Sequence, residues 1–182
     1  MNEITTKDKE ELLSKIQLIH LKLGYLHYRL AHYHLNKCFK LKTKIYSKKE
    51  ICDFLREQNL SKTFSLLDRK YWTIEWKDWR KIIKYDWIDK KKYIRERFDC
   101  DNFSFIFSAN AGFFFGLNSC GVGFGTINNA SGHLFNIILA TDNGNLKAFI
   151  YEPIHDRWIK YQKFEKIIIG NWYYKVNWQM YF

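Results

Sequence analysis

The amino-acid sequence predicts an α+β fold, in which helices occupy the first half of the chain and an antiparallel sheet occupies the second half. Apolar residues recur at helical spacing up to residue 83, and from residue 121 onward they alternate as in strands. Residues 1–95 hold 23 basic and 12 acidic residues, whereas residues 96–182 hold seven of each. Seven of the nine glycines lie between Gly112 and Gly144. These contrasts in charge and glycine content indicate that the two halves of the chain have different functions.

Length and composition limit the class of protein. The chain has 182 residues, of which 47% are hydrophobic and 19% aromatic, which suits one folded domain with an extension. No apolar run approaches the roughly 20 residues that cross a bilayer, and the polar first residues do not resemble a secretory signal. The four cysteines form no CxxC pair, and the chain has no phosphate-binding GxxxxGK[ST] loop and no HExxH motif. We therefore expect a cytoplasmic protein with reduced thiols and without a membrane span.

A long basic helix is predicted over residues 5–41, because one apolar stripe follows a heptad repeat. A second set of apolar residues widens this face, so packing on the rest of the protein competes with homodimerisation through the stripe. We predict a basic helical extension at residues 1–46 and a second domain at residues 47–182. The stripe consists of Leu12, Ile16, Ile19, Leu23, Leu26, Leu30 and Tyr33.

Shorter helices are predicted next. Ser47 and Glu50 have capping-box spacing ahead of an apolar run, so a helix should begin there. Another helical face consists of Trp72, Trp76, Trp79 and Ile83. A further helix should begin near Cys100 and end near Gly112 or Gly116.

The remaining residues predict strands. Residues 121–127 alternate, residues 134–141 and 146–152 flank the turn signal Asp142-Asn143-Gly144-Asn145, and residues 172–182 form a last aromatic strand. A two-residue Asn143-Gly144 turn pairs Asp142 with Asn145. In that register His133 lies diagonal to Glu152 and on the same face of the hairpin, whereas a three-residue turn would separate the two side chains.

A candidate catalytic site follows from this register. A cysteine becomes a nucleophile most readily at a helix N-terminus beside a histidine, and Cys100 stands at such a position. His133 would accept the thiol proton and Glu152 would orient the imidazole, so the chain would cleave acyl bonds as a cysteine hydrolase. The oxyanion stabiliser is less well defined: the candidates are the backbone N–H of Cys100 and the side chain of Asn102. Without further context, a lone cysteine is more often structural than reactive.

Three separated segments resemble a known family. They are Tyr93 with Arg97-Phe98-Asp99-Cys100-Asp101-Asn102-Phe103, then Gly132-His133-Leu134-Phe135-Asn136-Ile137, then Tyr151-Glu152-Pro153. In this order they resemble the papain-like cysteine protease domain at the C-terminus of a mushroom agglutinin and in small bacterial and phage proteins. The resemblance spans roughly residues 68–182. It implies a papain-like fold, a helical half followed by a sheet half, and peptidase or amidase activity through Cys100, His133 and Glu152.

The same resemblance implies a cation. The mushroom protein is similar to a calcium-activated protease, so Asp101, and Asp99 less directly, are candidate Ca²⁺ ligands; capping the helix is the other role open to Asp99. Ile154 follows Glu152-Pro153 where a polar residue is expected, which departs from the family pattern. The lectin module of the agglutinin is absent from this sequence.

A basic surface offers an alternative function. Residues 12–49, which lie between Glu11 and Glu50, hold nine basic residues and no acidic residue, which suits a nucleic acid or an acidic partner. A solvated helix face explains the same pattern, because lysines outnumber arginines 23 to 7 and base readout favours arginine. The second candidate function is therefore a nucleic-acid-binding or protein-binding accessory module on a papain-like scaffold with an idle triad. If that module is viral, it would act in the host cell cytoplasm.

Overall fold

The computed structural model describes residues 15–27, 29–30, 39–60, 64–128, 131–163 and 167–181. It divides the chain into two compact units, Met1–Lys40 and Leu41–Phe182. In the first unit, residues 15–27 and 29–30 are helical and form α1, within the long helix that the heptad stripe predicts. The rest of that predicted helix, apart from residues 39–41, lies outside the described residues. In the part of the chain that the structure describes, no helix is long and apolar enough to cross a membrane.

The second unit begins with a strand and a capped helix. Strand β1, Lys44–Ser47, leads into α2, Lys48–Glu57. The predicted capping box is confirmed, because the Ser47 Oγ accepts a hydrogen bond from the Glu50 N–H at 3.2 Å, and the Glu50 carboxylate accepts one from the Ser47 N–H at 2.7 Å. Ile51 and Leu55 lie four residues apart on one face of α2 and are fully buried. This helix therefore covers one side of the core.

Two short strands follow. Strand β2 is Phe64–Ser65 and β3 is Lys70–Thr73, which pairs antiparallel with β1. Trp72, which the sequence places on a helical face, lies in β3 between the buried Tyr71 and Thr73. Helix α3, Trp76–Tyr85, buries the other members of the predicted face, Trp76, Trp79 and Ile83. A 3₁₀ turn, Ile88–Lys90, comes next.

Helix α4, Cys100–Phe115, is the longest of the second unit in the described ranges and lies against β4 and β5. It ends at Gly116, whose φ of +64° is the left-handed conformation that favours glycine at a helix C-terminus. Phe103, Phe107 and Ala111 face the sheet and are buried. The first residue of this helix is Cys100.

The sheet of the second unit consists of β4 (Cys120–Ile127), β5 (Ser131–Asp142), β6 (Asn145–Glu152), β7 (Arg157–Lys160), β8 (Ile167–Ile169) and β9 (Trp172–Tyr181), with β2 added at one edge. The order is β2-β9-β4-β5-β6-β7, and β8 pairs with β9. Every pairing is antiparallel except the parallel pair β2 and β9. Because β7 and β8 also lie side by side, the six strands β4–β9 form a nearly closed barrel.

The predicted hairpin register is confirmed. Asp142 pairs with Asn145 and Asn136 with Tyr151, as a two-residue turn requires. Asn143 and Gly144 have φ values of +50° and +79°, which is the geometry of the type I′ turn favoured by Asn-Gly. This turn fixes which side chains of β5 and β6 share a face.

The predicted division into a helical half and a sheet half needs correction. Strands β1, β2 and β3 lie in the half that the sequence assigns to helices, and the later strands curl into a barrel. Strands of two to four residues offer too few alternating positions for a sequence pattern to predict them. The papain-like assignment rested on three short segments. None of them contains strands β1–β3 or determines how the later strands close into a barrel.

Candidate functional site

Cys100 is the first residue of α4, and Asp99 caps the helix. The Asn102 Oδ1 accepts a hydrogen bond from the Asp99 N–H at 3.1 Å, and Asp101 Oδ1 accepts one from the Asn102 N–H at 2.6 Å. These bonds begin the helix at Cys100, so its half-buried thiol lies at the positive end of the helix dipole. This is the position that favours a reactive cysteine.

His133 and Glu152 meet inside the barrel. The His133 Nε2 and the Glu152 Oε2 are 2.6 Å apart, and both residues are buried. The sequence predicts that they share a face, and the confirmed turn explains why they do. The side chain of Cys100 also lies close enough to His133 to raise the pKa of the imidazole. Cys100, His133 and Glu152 are therefore brought together, and they are called the Cys100 site below.

Glu152 is held by three donors. Its Oε2 accepts hydrogen bonds from the Tyr174 hydroxyl at 2.9 Å as well as from His133, and its Oε1 accepts one from the Ile154 N–H at 3.2 Å. A fully buried carboxylate needs such partners, because an unpaired charge inside a protein is costly. The backbone N–H of Ile154 thus contacts the carboxylate where the family pattern suggests a polar side chain.

The electrostatics of the site favour a charged imidazole. Burial alone would lower the pKa of His133, but the hydrogen bonds to Cys100 and Glu152, together with their negative charges, outweigh burial and raise the pKa to about 9. At neutral pH the ring is therefore an imidazolium that lies between a thiol and a carboxylate. Its positive charge stabilises negative charge on either neighbour.

The other cysteines have different surroundings. Cys120 is fully buried in β4, and burial raises the pKa of its thiol well above the usual range. Cys52 lies half-buried on α2. Cys38 lies outside the described residues. Of the three described cysteines, Cys100 is the one that contacts a histidine.

Asp99 and Asp101 lie side by side. The pKa of Asp101 is raised chiefly by a hydrogen bond between the two carboxyl groups and, to a smaller extent, by burial. Within the described ranges, no three or more His, Cys, Asp or Glu side chains are arranged to hold a metal ion. The candidate Ca²⁺ ligands Asp101 and Asp99 thus form a pair, and calcium binding stays a prediction. Asn102 likewise stays a predicted oxyanion donor, with its Oδ1 engaged in capping.

Sequence reasoning missed Tyr174. The sequence predicts a strand over residues 172–182 but assigns no role to its tyrosines. Tyr174 is buried, and its hydroxyl reaches Glu152 from β9, which is separated by some twenty residues from β6. Strand alternation predicts only that Tyr174 faces inward, because the partner of its hydroxyl depends on how the barrel closes.

Together these elements define an α+β protein in which α4 packs against a nearly closed antiparallel barrel. The thiol of Cys100, the imidazole of His133 and the carboxylate of Glu152 lie where the helix begins. No family model matches the chain, and neither does any curated protein. Several solved structures share its fold, and one of them is described as the PSL1a-E64 complex, with 17% identity and a TM-score of 0.56 over 76% of this chain. Another is Polyporus squamosus lectin bound to the human-type influenza-binding epitope Neu5Aca2-6Galb1-4GlcNAc, with 16% identity and a TM-score of 0.57 over 76% of this chain. The chain spans about half the length of each, 50% and 49%.

These structures correct the assignment that the sequence motifs suggested. One of these two matching chains is described as a lectin, and neither is described as a papain-like protease. The assignment to the papain-like cysteine proteases is therefore wrong, and so are the cysteine hydrolase activity and the peptide substrate that it implied. The motifs did predict that Cys100, His133 and Glu152 converge, but three residues that converge do not define an enzyme class.

Proposed function

We propose that this chain is a ligand-binding protein and that the Cys100 site is its ligand site. The observation that carries the proposal is the buried contact between His133 and Glu152, 2.6 Å apart, next to Cys100 at the first position of α4. A thiol beside a cation at a helix N-terminus reacts and pairs with ligands more readily than an isolated thiol. The site therefore suits small ligands that contact the sulfur atom of Cys100 or form a covalent bond with it.

The accessible side of the site is the side of Cys100. His133 and Glu152 are buried, whereas Cys100 is half-buried and the side chain of Tyr93 is 46% exposed. Burial raises the pKa of Tyr93, and the charges of Asp99 and Cys100 add to that increase. A hydrogen bond between the Ile94 N–H and the Phe98 carbonyl, at 2.8 Å, holds the loop that carries Tyr93. Cys100 is therefore more accessible to a ligand than His133 or Glu152.

Two ligands named for the similar structures are the probes. E64 is present in one of them and is the probe of the Cys100 site. The trisaccharide Neu5Aca2-6Galb1-4GlcNAc is present in the other and extends the proposal to glycans as partners. Because this chain spans about half of either neighbour, each ligand is measured separately on this chain.

The test follows alkylation of each thiol by limiting iodoacetamide at about pH 6, where a free thiol with a pKa of about 8.5 is almost entirely protonated. In this reaction the cysteine sulfur bonds to the CH₂ carbon, iodide leaves, and the thiol proton passes to water, because the His133 ring is already protonated at this pH. We expect Cys100 to be labelled first in peptide mass spectra, and His133→Ala to slow that labelling at least about tenfold. Half-buried Cys52 in the same molecule is the internal control.

Prior incubation with E64 should then protect Cys100 from iodoacetamide and leave Cys52 unchanged. The glycan is measured by titration against the same wild-type protein and against Cys100→Ala. Slow labelling of Cys100 at the rate of Cys52, with no protection by E64, would contradict the proposal. Glycan binding that survives Cys100→Ala in full would place the sugar elsewhere on the chain.

A further inference from the structure

A second hollow lies on the barrel, apart from the Cys100 thiol. It is formed where the turn between β6 and β7 faces the turn between β8 and β9, and its volume is about 150 Å³. The lining residues are His155, Arg157, Ile169, Asn171 and Tyr174; we call this hollow the arginine pocket. Its volume equals that of about five water molecules at roughly 30 Å³ each. This space can hold a small charged group together with part of the molecule to which that group is attached.

The charge in this pocket belongs to Arg157. Among the described residues, no ion pair includes its guanidinium. Arg157 pairs with Glu152 across β6 and β7, but the Glu152 carboxylate is turned toward His133, Tyr174 and Ile154. A guanidinium presents several N–H donors in one plane, which matches the two oxygens of a carboxylate.

The backbone of the β8–β9 turn makes room for this arginine. Gly170 has a φ of +62°, and a Cβ atom built there would lie 2.2 Å from Arg157 Nη1. The guanidinium therefore occupies space that any other residue at position 170 would fill. Its charge also lowers the pKa of Tyr174, against the larger opposite effect of burial, which places it next to the buried phenol that contacts Glu152.

We propose that the arginine pocket binds the carboxylate group of a small organic acid, with Arg157 as its charge partner, Asn171 as a polar neighbour and Ile169 as the apolar wall. The pocket shares Tyr174 with the support of Glu152, but Arg157 and Asn171, the groups proposed to bind the carboxylate, are not part of the Cys100 site. A phosphate group is the competing anion, and the test separates the two.

The experiment compares benzoate with benzamide, a neutral molecule of the same shape, by titrating each into the full chain and following amide NMR signals of the β8–β9 turn. We expect benzoate to shift these signals saturably and benzamide to bind at least about tenfold more weakly, because a charge-assisted hydrogen bond is lost. Inorganic phosphate is the third ligand. Phosphate that binds more tightly than benzoate would overturn the assignment to a carboxylate.

Arg157→Gln should weaken benzoate binding at least about tenfold, whereas Arg157→Lys should retain part of it, since the charge remains but the planar pair of donors is lost. The matched control is Arg80→Gln, which removes an exposed arginine from α3. Unchanged benzoate binding in Arg157→Gln, or an equal loss in Arg80→Gln, would refute the proposal. Iodoacetamide labelling of Cys100 should be the same in all three variants, so this result is independent of the proposed function.

Discussion

His133 illustrates how a single residue links site and stability. Its pKa is raised from 6.5 to about 9 in the folded protein. The resulting stabilisation is fully present below the unfolded value of about 6.5 and is lost as pH rises through the folded value. We expect the free energy of unfolding to fall by about 1 to 3 kcal/mol between pH 6.5 and 9.5. Urea denaturation across this range measures it, and His133→Gln should flatten the dependence; an equally steep curve in that variant would assign the effect to other groups.

Glu152 and Tyr174 allow a second prediction at the residue scale. Tyr174→Phe removes one donor from a buried carboxylate, which should cost about 1.5 to 3 kcal/mol of unfolding free energy. Glu152→Gln should keep the fold and slow alkylation of Cys100 less than His133→Ala does, because the amide oxygen still accepts a hydrogen bond from the ring. Denaturation and thiol labelling measure the two effects. Wild-type stability in Tyr174→Phe would show that the hydroxyl does not support Glu152.

Helix α4 provides a matched pair of glycines at the scale of one element. Gly116 ends the helix at a φ of +64° with open space around it, so Gly116→Ala should cost about 1 kcal/mol through backbone strain alone. Gly112 lies within the helix, where an added Cβ would contact only the Leu117 carbonyl oxygen at 3.8 Å. Gly112→Ala should therefore stabilise by about 0.5 to 1 kcal/mol. Thermal unfolding of both variants checks the prediction, and equal shifts of one sign would contradict it.

Elements that depend on residues close together in the chain could be predicted from the sequence. The capping box of Ser47 and Glu50, and the Asn143-Gly144 turn, were predictable because each depends on residues three apart or fewer. The convergence of His133 and Glu152 followed from that turn. Tyr174 and strands β1 and β3 were not predictable, because their partners lie far along the chain and depend on barrel closure. The family assignment failed for a related reason, since short motifs constrain a few positions and leave the arrangement of strands open.

The charge of the whole molecule, +11, predicts a partner that the motifs do not name. We expect duplex DNA or heparin to bind at low salt chiefly through the basic segment of residues 12–49, with a steep salt dependence from counterion release. Replacing Lys15, Lys22 and Arg29 of α1 by Gln should weaken binding several-fold and reduce the salt slope. Replacing Lys77, Lys81 and Lys84 of α3 removes the same charge and is the control. Equal losses in the two variants would show that only net charge matters.

Barrel closure has a consequence for how the protein is made. Strand β9 is the last of the described strands in chain order, yet it pairs with β2, β4 and β8. While a ribosome is still synthesising the chain, β4 therefore has one unpaired edge, and an unpaired edge is a template for other chains. The hydroxyl of Tyr174 also arrives with β9, so Glu152 and His133 are assembled before their last support. The site is thus completed only after β9 has left the ribosome.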